Sequence, residues 1–140
     1  MAYMDRAIPL AKVLLAAIPA LLACGCASDK DAMHLNASRW DFALIDGQRP
    51  LSDAADVRFE RGKISVLVGC NRISGPWRIE NDRLVAGPLV QTEMACPAPA
   101  WDQEKAVSSL LAATPRIIMQ EDRMILQSSG HTAELVRSVD

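Results

Sequence analysis

The chain has 140 residues, half of them hydrophobic, which suits one packed domain with a short appendage. Its formal net charge of -2 gives no global basic field that would hold nucleic acid or an anionic membrane surface. Aromatic residues make up only 4% of the chain, so a base-stacking surface is not expected either. We therefore expect no nucleic-acid partner.

Residues 1–23 have the features of a signal peptide. Arg6 and Lys12 make the start basic, and residues 13–23 form an uninterrupted apolar run. A run of this length suits the core of a signal peptide and is too short to span a bilayer, which needs about 20 apolar residues. We expect this segment to direct export.

The apolar run ends in Leu21-Leu22-Ala23-Cys24, which resembles the lipobox of bacterial lipoproteins. In such proteins the cysteine is acylated and becomes the first mature residue, so we predict lipidation of Cys24. Cys26 is a rival site, and a plain secretory signal with incidental cysteines is the alternative. No Asp follows either cysteine directly. By resemblance to other lipoproteins, this favours anchoring in the outer membrane, with the domain facing the periplasm.

Composition and patterning divide the rest of the chain into a tether and a domain. Residues 24–38 are mostly polar or small, which predicts a flexible tether. Residues 39–138 form the predicted domain. Alternating apolar and polar residues predict strands there, at residues 40–44, 57–60, 64–68, 77–79, 84–86, 116–120, 124–127 and 132–137.

One helix is predicted at residues 100–111. Its apolar positions are Trp101, Val107, Leu110 and Leu111, and Thr114-Pro115 ends it. Strands joined by short turns pair antiparallel, because parallel strands need a long crossover. We therefore predict an α+β domain, in which a curved, barrel-like antiparallel sheet has one helix packed against it.

Two segments carry a family resemblance. They are Gly69-Cys70-Asn71-Arg72-Ile73-Ser74-Gly75 and, downstream, Thr92-x-Met94-Ala95-Cys96. Together with Trp40-x-Phe42 and Gly47 in the opening strand, they are similar to the META domain family, over residues 39–136. The resemblance implies a heat-shock type of envelope lipoprotein, associated with heat response and novobiocin tolerance and without an established enzymatic reaction.

We interpret the motif residues as structural. They are Gly69, Asn71, Arg72, Gly75, Thr92 and Met94. Asn71 is expected to supply a side-chain hydrogen bond or a left-handed turn, and Ser74-Gly75 to let the chain bend. Met94, like Met119 and Met124, is expected to pack. Ligand binding by Asn71 and Arg72 remains the alternative.

Cys70 and Cys96 are the pair left inside the domain once the lipobox is set aside. Thiols of an exported domain oxidise, so we predict a disulfide between them. Closing that loop should stabilise the fold by about 3 to 4 kcal/mol in the chain-entropy model. Two independent buried thiols are the alternative.

The remaining polar candidates give no chemistry of their own. Glu104 is interpreted as a helix-dipole partner or surface charge, and His34 and His131 as solvated. Two histidines so placed do not build a zinc site, which needs three or four convergent ligands. We expect no metal, no cofactor and no catalytic residue.

Two functional classes fit these predictions. The first is a non-catalytic, lipid-anchored envelope protein that supports the cell under stress and binds an unidentified envelope protein or ligand. The second is an inhibitor-type lipoprotein that blocks a lytic enzyme such as lysozyme or a protease. An inhibitor would use a protruding loop, for which residues 46–55 and 87–100 are the longest candidates.

Overall fold

The computed structural model describes residues 32, 34–128 and 130–139. The predicted lipidation site at Cys24 and its rival Cys26 lie outside these residues. Nine strands and one helix lie wholly within the described part, and residues 32, 34 and 35 are helical as well. Their bounds are β1 Ser38–Ile45, β2 Asp56–Glu60, β3 Lys63–Val68, β4 Asn71–Glu80, β5 Arg83–Ala86, β6 Val90–Gln91, α1 Ala98–Ala112, β7 Arg116–Gln120, β8 Arg123–Gln127 and β9 Thr132–Arg137.

Eight of these strands form a closed antiparallel barrel. Their order is β3-β2-β1-β9-β8-β7-β5-β4, and β4 pairs back with β3 to close the ring. Closure depends on β4, which is 10 residues long and pairs with β3 along its first half and with β5 along its second. The α+β class with a curved, barrel-like sheet is confirmed, and the sheet closes completely.

Two-residue turns join β2 to β3, β3 to β4, β4 to β5 and β7 to β8. Asn81 and Asp82, with φ of 48° and 59°, join β4 to β5. Two successive positive φ values match the twist of paired strands, and Asn and Asp tolerate them better than most residues do. A two-residue hairpin turn is therefore present at this position. Residue 129, between β8 and β9, lies outside the described residues.

The barrel interior is filled by alternate residues of the strands. Val57, Phe59, Val66 and Val68 are buried, as predicted from their alternation. Phe59 meets the edge of Trp77, with ring centroids 4.9 Å apart. Such an edge-to-face pair adds to the burial of both rings. Trp77 and Ile79 are only partly buried, and they pack against this core.

Helix α1 lies across one end of the barrel. It contacts β1, β3 and β5, which stand on different sides of the ring. Val107, Leu110 and Leu111 point inward and are buried. Trp101 is 49% exposed, so its predicted place on the apolar face was wrong. Nine residues at 100° each place Trp101 about 180° from Leu110. No helix in the described ranges combines the length and apolarity needed to cross a membrane.

The packed domain begins before residue 39. Leu35 is fully buried in the core, and strand β1 already starts at Ser38. The Ser38 hydroxyl donates to the Leu35 carbonyl and accepts the indole N–H of Trp40, the latter at 2.8 Å. The expected tether of residues 24–38 therefore extends too far, because its last residues are part of the folded unit.

Candidate functional site

The two cysteines of the domain form a disulfide. Cys70 lies in the turn between β3 and β4, and Cys96 lies just before α1. Their sulfur atoms are 2.04 Å apart and their Cα atoms 5.8 Å apart. The bond joins the top of one hairpin to the entrance of the helix. The pairing is the one predicted from the sequence.

Asn71 is the centre of a hydrogen-bond network beside this disulfide. Its side-chain Oδ1 accepts the Met94 N–H at 2.7 Å and the Thr92 hydroxyl at 2.9 Å, and its Nδ2 donates to the Met94 carbonyl at 3.1 Å. The Met94 N–H can only donate, so it fixes which end of the amide is oxygen. Asn71 thereby holds residues 92–94 against the barrel. The left-handed backbone conformation is found two residues earlier, at Gly69, with φ of 61°.

Glu104 lies on the other side of Asn71. Its two carboxylate oxygens accept Nδ2 of Asn71 at 2.9 and 3.0 Å, and Oε1 also accepts Nε2 of Gln91. Glu104 is 1% exposed. The interpretation as a surface charge was therefore wrong. The signal was present in the sequence, because Glu104 stands three residues before Val107 and shares its helix face.

The two motif glycines are required by close approaches of the chain. A Cβ on Gly69 would lie 2.7 Å from the carbonyl oxygen of Ala100 and 3.1 Å from Oε2 of Glu104. A Cβ on Gly75 would collide with the carbonyl oxygen of Pro88. Gly75 pairs with Ile64 inside the regular ladder. The ladder has no register shift at Ser74-Gly75, and the glycine leaves room for a neighbouring segment.

Asn71 and Arg72 do not converge on one ligand site. Adjacent residues of a strand point to opposite faces, and here Asn71 is buried whereas Arg72 is exposed. The Arg72 guanidinium donates to the hydroxyl of Ser65 on the outer surface of β3 at 2.9 Å. The Arg72 backbone N–H donates to the hydroxyl of Thr92 at 3.0 Å.

An open groove of about 570 Å³ lies between residues 91–95 and the start of α1. Met94 is 64% exposed and Trp101 49% exposed on its walls. The Lys105 ammonium stands 4.1 Å from the centre of the Trp101 ring. The expectation that Met94 packs in the core was wrong, because its backbone, and not its side chain, is what Asn71 holds. The full lining is Asn71, Gln91, Thr92, Glu93, Met94, Ala95, Trp101 and Glu104.

A second groove, of about 460 Å³, lies on the other side of the helix start. Its wall is the loop of residues 46–55, which Gln103 holds in place. The Gln103 side chain accepts the Leu51 N–H and donates to the Arg49 carbonyl, both at 2.9 Å. Leu51 is nevertheless 59% exposed. The loop therefore presents an apolar side chain from a fixed backbone.

His131 is paired rather than freely solvated. Its Nδ1 lies 2.8 Å from Oδ2 of Asp46, and the Thr132 N–H donates to Oδ1 of Asp46 at 2.9 Å. Partial burial would raise the pKa of the Asp46 carboxyl. The hydrogen bonds from Thr132 and His131 and the positive charge of His131 outweigh it, so the pKa is lowered. His34 is exposed. Nowhere in the described ranges do three or more His, Cys, Asp or Glu residues form a metal-binding group.

The fold and the site together define a small disulfide-linked β-barrel domain closed at one end by a helix. The family model of the META domain matches residues 33–140, so this chain belongs to the META domain family. The chain is 27% identical over 119 residues to "Heat shock protein HslJ" of Escherichia coli strain K12. That match covers 80% of this chain and 85% of the relative.

Two solved structures share the fold. An NMR structure superposes with a TM-score of 0.67 at 23% identity, covering 75% of this chain and 92% of the other. An NMR structure of a protein from Burkholderia xenovorans superposes with a TM-score of 0.64 at 23% identity, covering 95% of this chain and all of the other. At this level of identity the likeness concerns the fold alone.

Proposed function

We propose that this chain is a non-catalytic, lipid-anchored protein of the bacterial cell envelope. In this proposal the META domain faces the periplasm from the outer membrane and binds another envelope component or ligand. By doing so it supports tolerance of heat or of an antibiotic such as novobiocin. The lipobox-like Leu21-Leu22-Ala23-Cys24 and the similarity to a heat shock protein support this proposal.

The observation that carries a binding role is the contrast between the site's interior and its rim. The side-chain polar atoms of Asn71 and Glu104 form hydrogen bonds within the protein, and these bonds hold residues 91–94 and α1 together. The groove they frame exposes Met94 and Trp101. Large apolar side chains exposed on a rigid frame mark interaction sites, and Trp is enriched among the residues that dominate binding energy.

A complementation experiment tests the stress function. A strain deleted for the gene is expected to lose survival at heat-shock temperature and on novobiocin, and the wild-type chain is expected to restore it. The Cys24→Ala chain should restore it poorly, since two acyl chains are needed for stable anchoring. A deletion strain with unchanged heat and novobiocin survival would refute the stress function.

Fractionation and mass spectrometry test the anchor separately. The wild-type chain should sediment with outer membranes, and its mature amino-terminal peptide should begin at an acylated Cys24. An acylated peptide that begins at Cys26 would move the site. Unmodified cysteine at both positions would refute the anchor.

The alternative of an inhibitor is favoured by one observation, the Leu51 loop. Inhibitor loops gain affinity when their bound conformation is preformed, and Gln103 fixes the backbone at the Arg49 carbonyl and at the Leu51 N–H. If the alternative holds, the purified chain should inhibit lysozyme or a periplasmic protease, and Leu51→Asp should abolish the inhibition. Unchanged inhibition by Leu51→Asp, or none by the wild type, would contradict it.

A further inference from the structure

Glu104 is arranged as a buried anion. The Met94 N–H fixes the orientation of the Asn71 amide, so Nδ2 must face Glu104 and donate to both of its oxygens. Gln91 adds a third donor contact to Oε1. In these contacts the Glu104 carboxyl group accepts hydrogen bonds and donates none, which is the role of a carboxylate.

This anion has no positive partner in the described part of the chain. No Lys, Arg or His nitrogen in those ranges forms an ion pair with Glu104. The other carboxylate that is 1% exposed, Asp56, has two such partners, with Nε of Arg39 and Nε of Arg58 each 3.0 Å from Oδ2. Burying a charge is costly unless it is paired. Among the described residues, Glu104 is therefore a buried carboxylate that amide donors hold without an ion pair.

The groove gives access to this charge. Glu104 is among the residues that line the groove, and Oε1 is contacted there by Gln91, an exposed residue of the two-residue strand β6. Its neutral amide makes a contact that a charged N–H group of a ligand would make more strongly. On the groove walls, Met94 and Trp101 offer a thioether and an aromatic ring. Both contact alkyl stems well, and because the Trp101 ring already carries the Lys105 ammonium, its contribution is contact with the stem.

We propose that this groove binds an organic cation, a protonated amine or a guanidinium on an apolar stem, with Glu104 as the counter-charge. The cationic group displaces Gln91 and the stem lies along Met94 and Trp101. The proposal rests on the binding role put forward above and specifies the ligand chemistry. The same chemistry is supplied by a free alkylamine or by a lysine or arginine residue of a peptide.

An NMR titration of the full chain in a non-ionic detergent tests the proposal. The probes are N-acetyl-lysine methylamide, N-acetyl-arginine methylamide and butylammonium, with N-acetyl-norleucine methylamide as the neutral control. The cations should shift the side-chain amides of Asn71 and Gln91 and the indole N–H of Trp101. The lysine probe should bind roughly tenfold more tightly than norleucine. Tighter binding of the blocked residues than of butylammonium would indicate a peptide source, and the reverse a free amine.

Variants then assign the preference to Glu104. Glu104→Gln should abolish the difference between lysine and norleucine, whereas Glu93→Gln, an exposed carboxylate on the same groove, should largely retain it. Gln91→Ala should tighten lysine binding severalfold because the competing amide is removed. Trp101→Ala should weaken it roughly threefold. Because Gln91 and Trp101 are exposed, these two variants decide the question even if Glu104→Gln does not fold.

Several results would overturn the proposal. For the wild type, they are equal binding of the lysine and norleucine probes, or no binding of any cation in large excess. For the variants, they are an equal loss of the lysine preference in Glu93→Gln and Glu104→Gln, or unchanged lysine binding in Gln91→Ala and Trp101→Ala. None of these touches the stress function, which the deletion strain tests. Conversely, a deletion strain without a phenotype leaves the titration result standing.

Discussion

Asn71 shows how much of this site depends on one amide. Its oxygen accepts from Thr92 and Met94, and its nitrogen donates to Met94 and Glu104. Residues 92–96, which lie outside any named strand or helix, are held to the barrel largely by this side chain and by the disulfide. Strand β4 supplies one backbone hydrogen bond at the start of this segment, in which the Thr92 N–H donates to the Arg72 carbonyl at 3.1 Å. Beyond Thr92, the hydrogen bonds to the barrel at Met94 come from the side-chain amide of Asn71.

The first prediction concerns that amide. Asn71→Asp keeps the shape but removes the Nδ2 donor and places a second carboxylate against Glu104. We expect the free energy of unfolding to fall by about 3–5 kcal/mol, as when one partner of a buried charge network is removed. Urea unfolding at neutral pH measures it. Asn81→Asp, in the exposed turn after β4, is the matched control, and an equal effect of the two substitutions would contradict the role given to Asn71.

The second prediction concerns Asp46 and acid. The pKa of Asp46 is lowered below its ordinary value of 3.8, so the folded state holds this proton less tightly than the unfolded chain does. The resulting stability is fully present above the ordinary pKa and is lost as the pH falls through the folded-state pKa. Asp46→Asn should cost less than about 1 kcal/mol at neutral pH, because the pair with His131 is partly exposed.

Urea midpoints of both chains at neutral pH and at about pH 2 measure this effect. The difference between wild type and Asp46→Asn should shrink in acid, because the wild-type carboxyl is then protonated as well. A difference that stays constant across the pH range would show that the ion pair is not its source.

At the scale of elements, the strands of the barrel were the most predictable part. Alternation of apolar and polar residues marks a strand that is buried on one face, and the strands from β1 to β5 and from β7 to β9 have enough residues to show it. Strand β6 has two residues, both exposed, and so carries no such pattern. The closure of the ring through β3 and β4 is a long-range pairing that local periodicity does not report.

In helix α1, two predictions from the sequence were wrong, and both have the same cause. Hydrophobicity alone placed Trp101 in the core and Glu104 on the surface, yet the structure exposes the former and buries the latter. Angular position on the helix would have ordered both correctly. The hydrogen-bond donors to Glu104 were not predictable, because Asn71 and Gln91 lie on strands outside the helix.

The third prediction concerns the strand core. Phe59 is fully buried against Trp77, so Phe59→Ala removes a large side chain and leaves a cavity. We expect a loss of about 3–5 kcal/mol in the free energy of unfolding. Val90→Ala, at a side chain that is 68% exposed, is the control and should change it little. An unchanged denaturation midpoint for Phe59→Ala would contradict the assignment of the inner face.

The fourth prediction concerns the disulfide. It closes a loop with a sequence separation of 26 residues. In the chain-entropy model, the Cys70→Ser, Cys96→Ser double variant should lose about 3 to 4 kcal/mol and melt lower. Below its melting temperature it should still support novobiocin tolerance, because the bond holds the groove without lining it. A variant as stable as the parent but inactive would show that the sulfur atoms act directly.

At the scale of the whole molecule, the disulfide, the buried hydrogen bonds of Glu104 and the exposed apolar side chains of both grooves lie at the same end of the barrel. Both grooves adjoin the first turns of α1, and the disulfide joins the residue just before this helix to the β3–β4 turn. In the function that we propose, the helix end, anchored by Glu104 and Gln103, carries the recognition surface. The remaining barrel wall serves as its support.

The claim that the groove at Met94 and Trp101 is the functional surface is tested most directly by heat survival. The strain to measure is the deletion strain that carries the Met94→Ala, Trp101→Ala chain. Both side chains are exposed, so the variant should reach the membrane in normal amounts and melt like the wild type. We predict that it fails to restore survival, whereas Val136→Ala, at an exposed apolar residue of β9, restores it fully. Full restoration by the double variant, at equal amounts of protein, would contradict the claim that this groove is the functional surface.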